Sequence, residues 1–421
     1  MRRSMDERYI AAAVPVFFLL IGLELLVTRR ARDPKYAFGD SITNLSCGVG
    51  SQALAVFLTT FAIAGYVVVY ERWRLTSLSL RSAWAWIALL FALDLCYYAF
   101  HRASHRVNAL WAMHVVHHQS EEYNLSVALR QSWFDPLVQW LFYLPLAFVG
   151  FPPVMYLTMT TLNTLYQFWI HTRAIGRLGP LEWVLNTPSH HRVHHGVNPK
   201  YIDKNYAGIF IIWDRFFGTF QPEEEEPVYG TVKPLASFNP LWANVEHWVT
   251  MGKLAGASSD LLAKLTVWIR PPEWLPRELG GVATIPDASR DTQRRYAPPA
   301  RAGLRAYVLA NYVVVVVGTT GFLLVNHALS AVQLVAYAGL VGVTLVAVGG
   351  LLESKRWAAG LEVARLMLLV VVVAVVLQGT RWMWPGTIVA AASTGILLGC
   401  LRLAGRAVDK GALPPLTSTA E

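Results

Sequence analysis

Long apolar runs, nearly free of charge and separated by short polar joints, decide what this chain can become. A helix needs about 20 mostly apolar residues to cross a bilayer. Ile10–Val27, Leu45–Val69 and Ala83–Phe100 are such runs. Trp133–Phe148 and Val154–Ile170 flank Gly150-Phe151-Pro152-Pro153 and predict a helical hairpin at the short limit for crossing twice. Tyr307–Val325, Ala331–Leu352, Ala358–Leu377 and Thr387–Leu401 follow near the end. Charged residues make up 15% of the chain, against about 25% in ordinary soluble proteins. Mean hydropathy is +0.38. A disordered chain, a fibrous repeat and most water-soluble enzymes are excluded. The pattern predicts an all-α, polytopic, integral membrane protein, because helices keep every backbone hydrogen bond inside the segment that crosses lipid.

The 421 residues divide into N-terminal transmembrane helices (1–80), a histidine-rich helical region (81–300) and C-terminal transmembrane helices (301–421). The first run lacks a small-residue cleavage site and reads as a retained span. The acidic run Glu223–Glu226 reads as a solvated loop, and Arg270–Arg301 as a linker rich in Pro and Arg. The net charge is +9, but the cations sit mostly in the joints, where Lys and Arg set membrane orientation. No nucleic-acid motif accompanies them. Lys355 and Arg356, with Arg402, Arg406 and Lys410, place the 353–357 joint and the C-terminus in the cytoplasm, and so the 171–300 region as well. At the other end Arg2, Arg3 and Arg8 compete with Arg29–Lys35. Cys47, Cys96 and Cys400 are isolated, which argues against a disulfide framework or a thiolate metal site.

Twelve histidines are present, ten of them between 101 and 195. His101-Arg-Ala-Ser-His105 is an HxxxH. His114-Val-Val-His117-His118 and His191-Arg-Val-His194-His195 are each an HxxHH, the second preceded by His190. Residues three and four apart share a helix face, so each cluster is expected to present two or three imidazoles to one point. Imidazole suits Fe, Zn, Cu or Ni. Eight such ligands exceed what one ion uses and suffice for two. A lone histidine near a helix end is usually structural, and His247 and His327 are read that way. Three clusters at ligand spacing are not. Neither HxxHH has the second-position Glu of a zincin. A transporter passing metal along histidines is the reading from another class, but the late spans offer only Glu362 and Arg365, three apart and paired.

At these residues the chain resembles the fatty acid hydroxylase and sterol desaturase superfamily of membrane di-iron enzymes. Between the clusters it is similar to the alkylglycerol monooxygenase branch. The similarity lies in His117–Ser132, in Leu165-Tyr-Gln-Phe-Trp-Ile-His171-Thr172, in Asn186–Gly196, and in Ile202–Gly208 with Trp213–Phe220. It is close over roughly residues 35–240. The resemblance implies a cytoplasm-facing di-iron centre on His101, His105, His114, His117, His118, His191, His194 and His195, with His171 as a ninth ligand. It implies hydroxylation of a lipid C–H bond with dioxygen: O-alkyl cleavage of an ether lipid to a fatty aldehyde and a glycerol derivative. A sterol or fatty-acyl hydroxylase or desaturase is the alternative. The reductant it implies is tetrahydrobiopterin; no pterin, flavin or nicotinamide motif is present. The lipid comes from the membrane, and no substrate-binding residue is legible.

Around the ligands, Asp94 lies about two helical turns before His101 and is expected to accept a ligand's other N–H. His190 and Asp214 are expected in similar supporting roles. Asn163 and Gln167 are expected to orient water or substrate. The branch commonly has Glu directly after the second histidine of HxxxH, where this chain has Arg106. Arg106 is expected to turn outward, to a lipid phosphate or to Glu121 or Glu122.

Overall fold

A computed structural model describes residues 5–32, 35–291, 293–299 and 302–409. Arg2, Arg3, Arg301 and Lys410 lie outside them. Among the described residues no β-strand occurs, only isolated bridges. Among these same residues six helices are long and apolar enough to cross a membrane. The chain is an integral, multi-pass membrane protein. It forms two compact units, one of residues up to Ala297 with Thr319–His327, the other of Pro298–Gly318 with the residues from Ala328 onward.

In the first unit, α1 (Met5–Arg30) contains the first apolar run, and α2 (Phe38–Trp73) and α3 (Ala83–Arg106) are two of the six spans. The Ser82 side chain caps α3 by accepting from the Ala85 N–H, one of the donors a helix start leaves unpaired. At Val107 the backbone turns extended (φ −123°, ψ 117°), and α4 (Asn108–His118) sets off in a new direction. Tyr66 of α2 stacks on Tyr156, ring centres 4.2 Å apart, above a core of Leu89, Leu93, Tyr143 and Met155.

The expected hairpin is half present. α6 (Pro153–Trp169) begins with Pro at its first position, where no N–H is needed. Trp133–Phe148 is not one helix. It breaks into 3₁₀ turns at Asp135–Leu137 and Gln139–Tyr143, then α5 (Leu144–Val149). Pro136 and Pro145 are each the second residue of one of these pieces, because proline cannot donate the bond that a helix continuing through it requires. Gly150 ends α5 at φ +115°, and a Cβ there would stand 2.2 Å from the Thr76 carbonyl oxygen.

Short helices then line the histidines: α7 (Pro188–His194) and α8 (Ile212–Phe217), followed by α9 (Pro240–Ala257) and α10 (Leu261–Thr266). The stretch after α10 is no free linker. Arg290 pairs with Glu226 at 3.2 Å, Arg295 pairs with Glu122, and the Tyr296 N–H donates to Glu121 at 2.6 Å.

The second unit holds the start of α11 (Ala302–Val325), with α12 (Ala331–Leu352), α13 (Ala358–Val376) and α14 (Met383–Asp409). Glu362 and Arg365 are buried and bonded to each other, three residues apart on α13. Tyr307 donates to Glu362, and Arg365 donates to the Asn311 side-chain oxygen at 2.9 Å. Removing one charge strands the other in an apolar span, whereas removing both does not. Glu362→Leu is expected to cost about 3 kcal/mol, seen as a lower melting temperature in detergent. The double variant Glu362→Leu/Arg365→Met is expected to regain most of that loss.

Candidate metal centre

The histidines meet where α3, α4 and α7 converge with the end of α6. His101 and His105 occupy the last turns of α3, and His114, His117 and His118 come from α4. His191 and His194 come from α7, with His195 at its cap and His171 just past α6. All nine are buried. Their nitrogens gather into two groups. His101, His105, His114, His118 and His194 form one, and His117, His171, His191 and His195 the other. Within each group the ligand atoms all lie within 4.8 Å of one another.

Each cluster thus presents two imidazoles to one group, and each HxxHH sends its remaining histidine to the other. Successive helix residues turn by about 100°, so His114 and His118 lie about 40° apart on α4 while His117 lies about 100° from His118. The i, i+4 pair goes to one group and the third histidine to the other. α7 divides likewise, with His191 and His195 in one group and His194 in the other.

An imidazole ligates well when its other nitrogen donates to a fixed acceptor. Four do so through Nδ1–H. His101 donates to the Tyr206 carbonyl at 2.7 Å, and His194 to the Lys204 carbonyl at 2.9 Å. His117 donates to the Arg130 carbonyl at 3.0 Å, and His171 to the Gln167 carbonyl at 2.7 Å. This tautomer turns the Nε2 lone pairs inward. The Nε2 atoms of His101 and His114 are 3.0 Å apart, those of His114 and His118 3.2 Å. In the second group His171 Nε2 is 3.1 Å from His117 Nε2 and 3.0 Å from His191 Nε2. Such spacings suit nitrogens that share a centre about 2 Å from each. The Nε2 atoms of His105, His194 and His195 are buried with no hydrogen-bond partner. Orphaned inward nitrogens on neutral rings fit a metal ion in each group. Burial holds His114, His118, His171, His191, His194 and His195 well below the ordinary imidazole pKa, and lowers His117 to about 4. The rings are therefore uncharged at neutral pH and able to act as ligands.

The acceptor carbonyls are themselves anchored. Asp214, fully buried, accepts from the Tyr206 N–H and the Ala207 N–H, each at 2.8 Å, and from the Thr219 hydroxyl. The Ala207 N–H belongs to the same peptide as the Tyr206 carbonyl, so Asp214 steadies His101 through one peptide plane. Burial pushes the Asp214 carboxyl up to about 6. Lys204 lies between Asp203 (φ 60°) and Asn205 (φ 56°), residue types that tolerate the left-handed region. Arg130, 1% exposed, donates to the Val116 carbonyl, Asn44 Oδ1 and Gln119 Oε1, and its own carbonyl holds His117. Its supporting role is not legible from sequence, because no spacing rule links it to a ligand. Glu24 of α1 has a place that no sequence spacing reveals. It accepts from the Leu125 N–H at 2.9 Å and from the hydroxyls of Tyr36 and Thr172, next to His171.

Other expected roles change. Asp94 does not touch an imidazole. Its oxygens accept from the N–H groups of Ile209 and Phe210, from Trp213 Nε1 and from Asn163 Nδ2. It points at the 209–213 turn, which offers three donors where a histidine offers one. Asn163 accepts in turn from Gln167, so this pair joins α6 to α3 and is not free to orient substrate. His190 lies outside both groups, with its Nδ1 unpartnered and its ring edge-on to Phe220. Arg106 turns outward, but to Asp203 and, at 2.8 Å, to Glu273. Glu121 and Glu122 are engaged by the 295–296 segment instead. Asp203 Oδ1 is 3.7 Å from His105 Nδ1, so Arg106 holds a carboxylate beside a histidine of the first group.

A fatty acid hydroxylase family model matches residues 86–219, which include all nine histidines of the two groups. Alkylglycerol monooxygenases of Xenopus tropicalis and Homo sapiens are each 38% identical to this chain, over 362 and 363 residues. That of Danio rerio is 38% identical over 371 residues. Each alignment covers 86% of this chain and 81% of the relative. No solved structure matches the chain. The histidine groups and the family together indicate an iron-dependent enzyme.

Asp214→Ala is expected to lower metal affinity about 10–100-fold, measured as bound iron at limiting supply. Arg106→Glu would set a third carboxylate against Asp203 and Glu273. It is expected to lower bound iron, while Arg106→Lys retains most of it.

Proposed function

This chain belongs to the alkylglycerol monooxygenase family, and on that premise we propose that it hydroxylates the carbon beside the ether oxygen of an alkylglycerol lipid. The hydroxylated product is a hemiacetal, which collapses to a fatty aldehyde and a glycerol derivative. One oxygen atom of dioxygen enters the lipid. The other leaves as water, with two electrons and two protons from an external donor, for which the family points to tetrahydrobiopterin. The observation that carries the metal chemistry of this reading is the division of nine buried imidazoles into groups of five and four. We assign one iron to each group, and the pair supplies the oxidising power that no amino-acid side chain has.

The chain's own residues supply geometry and shelter. The carbonyls of Tyr206, Lys204, Arg130 and Gln167 fix ring orientation and tautomer. Tyr123, fully buried, stacks on Tyr229 at 4.8 Å and meets the His195 ring at 5.2 Å, excluding water on that flank. We assign catalysis to residues 81–300 and spanning roles to 1–80 and 301–421. We place the site on the cytoplasmic side, on the strength of Lys355 and Arg356.

The test is aerobic turnover of purified, iron-loaded protein with an alkylglycerol and a reduced pterin, scored for fatty aldehyde by mass spectrometry. Aldehyde is the expected product. Hydroxylation of a sterol or fatty acyl chain without aldehyde would overturn the substrate and leave the metal assignment standing. Separately, His117→Ala, His118→Ala and His194→Ala are each expected to lower bound iron and abolish turnover. Full iron and full activity in any of them would refute the ligand assignment.

A further inference from the structure

α10 has two apolar faces, and only one has a protein partner. Ala263 and Val267 are buried, at 5% and 1% exposure. Leu261, Leu262, Leu265 and Ile269 are 68%, 63%, 65% and 67% exposed. At about 100° per residue these four fall within an arc of about 100°, opposite the buried pair, with Lys264 and Thr266 on the borders. The turn after Thr266 continues the coil, since the Ile269 and Arg270 N–H groups both donate to the Thr266 carbonyl. Asp260 caps the start by accepting from the Leu262 N–H at 2.9 Å. The helix is therefore well formed, and its outer face is large, contiguous and apolar.

The position of α10 indicates what covers that face. The Asn108 N–H donates to the Arg270 carbonyl and the Ala109 N–H to the Trp268 carbonyl, both at 2.8 Å. Asn108 Nδ2 donates to the Val267 carbonyl at 3.0 Å. These bonds clamp the end of α10 to the corner at Val107, where α3 stops as a candidate span and α4 begins. The four exposed side chains thus lie beside the polar end of the α3 span, about two helical turns beyond Phe100, where its apolar run ends. Trp268 and Trp274 accompany them, with the Arg270 guanidinium 5.5 Å from the Trp274 ring centre. Aromatic and basic side chains of this kind favour the headgroup layer.

We propose that α10 lies in the plane of the bilayer interface, with Leu261, Leu262, Leu265 and Ile269 immersed in lipid. It acts as an anchor that fixes the depth of the α3–α4 corner. Helices of this type sink an apolar face about 5–10 Å into the boundary between headgroups and acyl chains. His105 and His114 flank that corner in sequence, so the anchor also fixes how deep the histidine groups sit. The anchor does not depend on the identity of the substrate.

Spin labels test this directly. Cys96 and Cys400 are replaced by Ser, and Cys47 is fully buried and stays. Single cysteines are then introduced as Leu262→Cys, Leu265→Cys or Ile269→Cys, with Glu224→Cys in the acidic loop as the water-facing reference. The full chain is placed in nanodiscs of phosphatidylcholine and phosphatidylglycerol. Relaxation by oxygen, which partitions into lipid, is compared with relaxation by a water-soluble nickel chelate. The expected oxygen-to-nickel ratio at the three α10 positions is several-fold above that at 224. A ratio equal to the reference would put the face in water and overturn the proposal. Low accessibility to both agents would mean that protein covers the face, and would overturn it equally.

Discussion

Nine imidazoles packed together out of water can coexist only if they are uncharged and each ring is held still. Burial achieves the first, because desolvation penalises the protonated form and neighbouring cationic rings would repel one another. Backbone carbonyls achieve the second for four of the rings. These carbonyls lie mostly outside regular helices, in the 203–206 loop and near Arg130, because a carbonyl in mid-helix is already engaged. Much of the irregular backbone of this unit is therefore explained by the histidines it must orient.

Behind that layer stand buried charges that serve the backbone and not the ligands. Asp214 gathers the Tyr206 and Ala207 N–H groups, Asp94 gathers those of Ile209 and Phe210, and Arg130 binds acceptors from α2 and α4. A carboxylate or guanidinium can satisfy three or four partners at once, which suits it to fix a turn that has no ladder of its own. The cost of desolvating each charge is offset by charge-assisted bonds, which are stronger than neutral ones. Asp94 and Asp214 meet at one loop from two sides, Asp94 from α3 and Asp214 from α8. The loop that orients His101 and His194 is thus tied to a membrane span.

Much of this was legible in the sequence. The spans follow from long apolar runs, and the histidines from their spacing, since both signals repeat within one element. What was not legible is long-range. Arg106 could be read as facing outward from its place on α3, but its partners Asp203 and Glu273 lie 97 and 167 residues away. Helical periodicity puts Asp94 on the same face of α3 as His101, but it does not reveal that the 209–213 turn presents more donors than a histidine. Trp133–Phe148 looked long enough for a helix, and Pro136 and Pro145 carried the contrary signal. The 203–205 loop left only a faint mark, an Asp and an Asn flanking a Lys, both able to take positive φ.

The division of α4 and α7 between the two groups has a thermodynamic consequence. Neither helix can shift or rotate without disturbing both groups, because each contributes ligands to both. On the proposed assignment of one iron to each group, an ion in one group would restrain helices that also carry histidines of the other. Two sites that share helices in this way are coupled, and the coupling is reciprocal. The metal affinity of either group would then depend on whether the other is loaded, although no single side chain belongs to both.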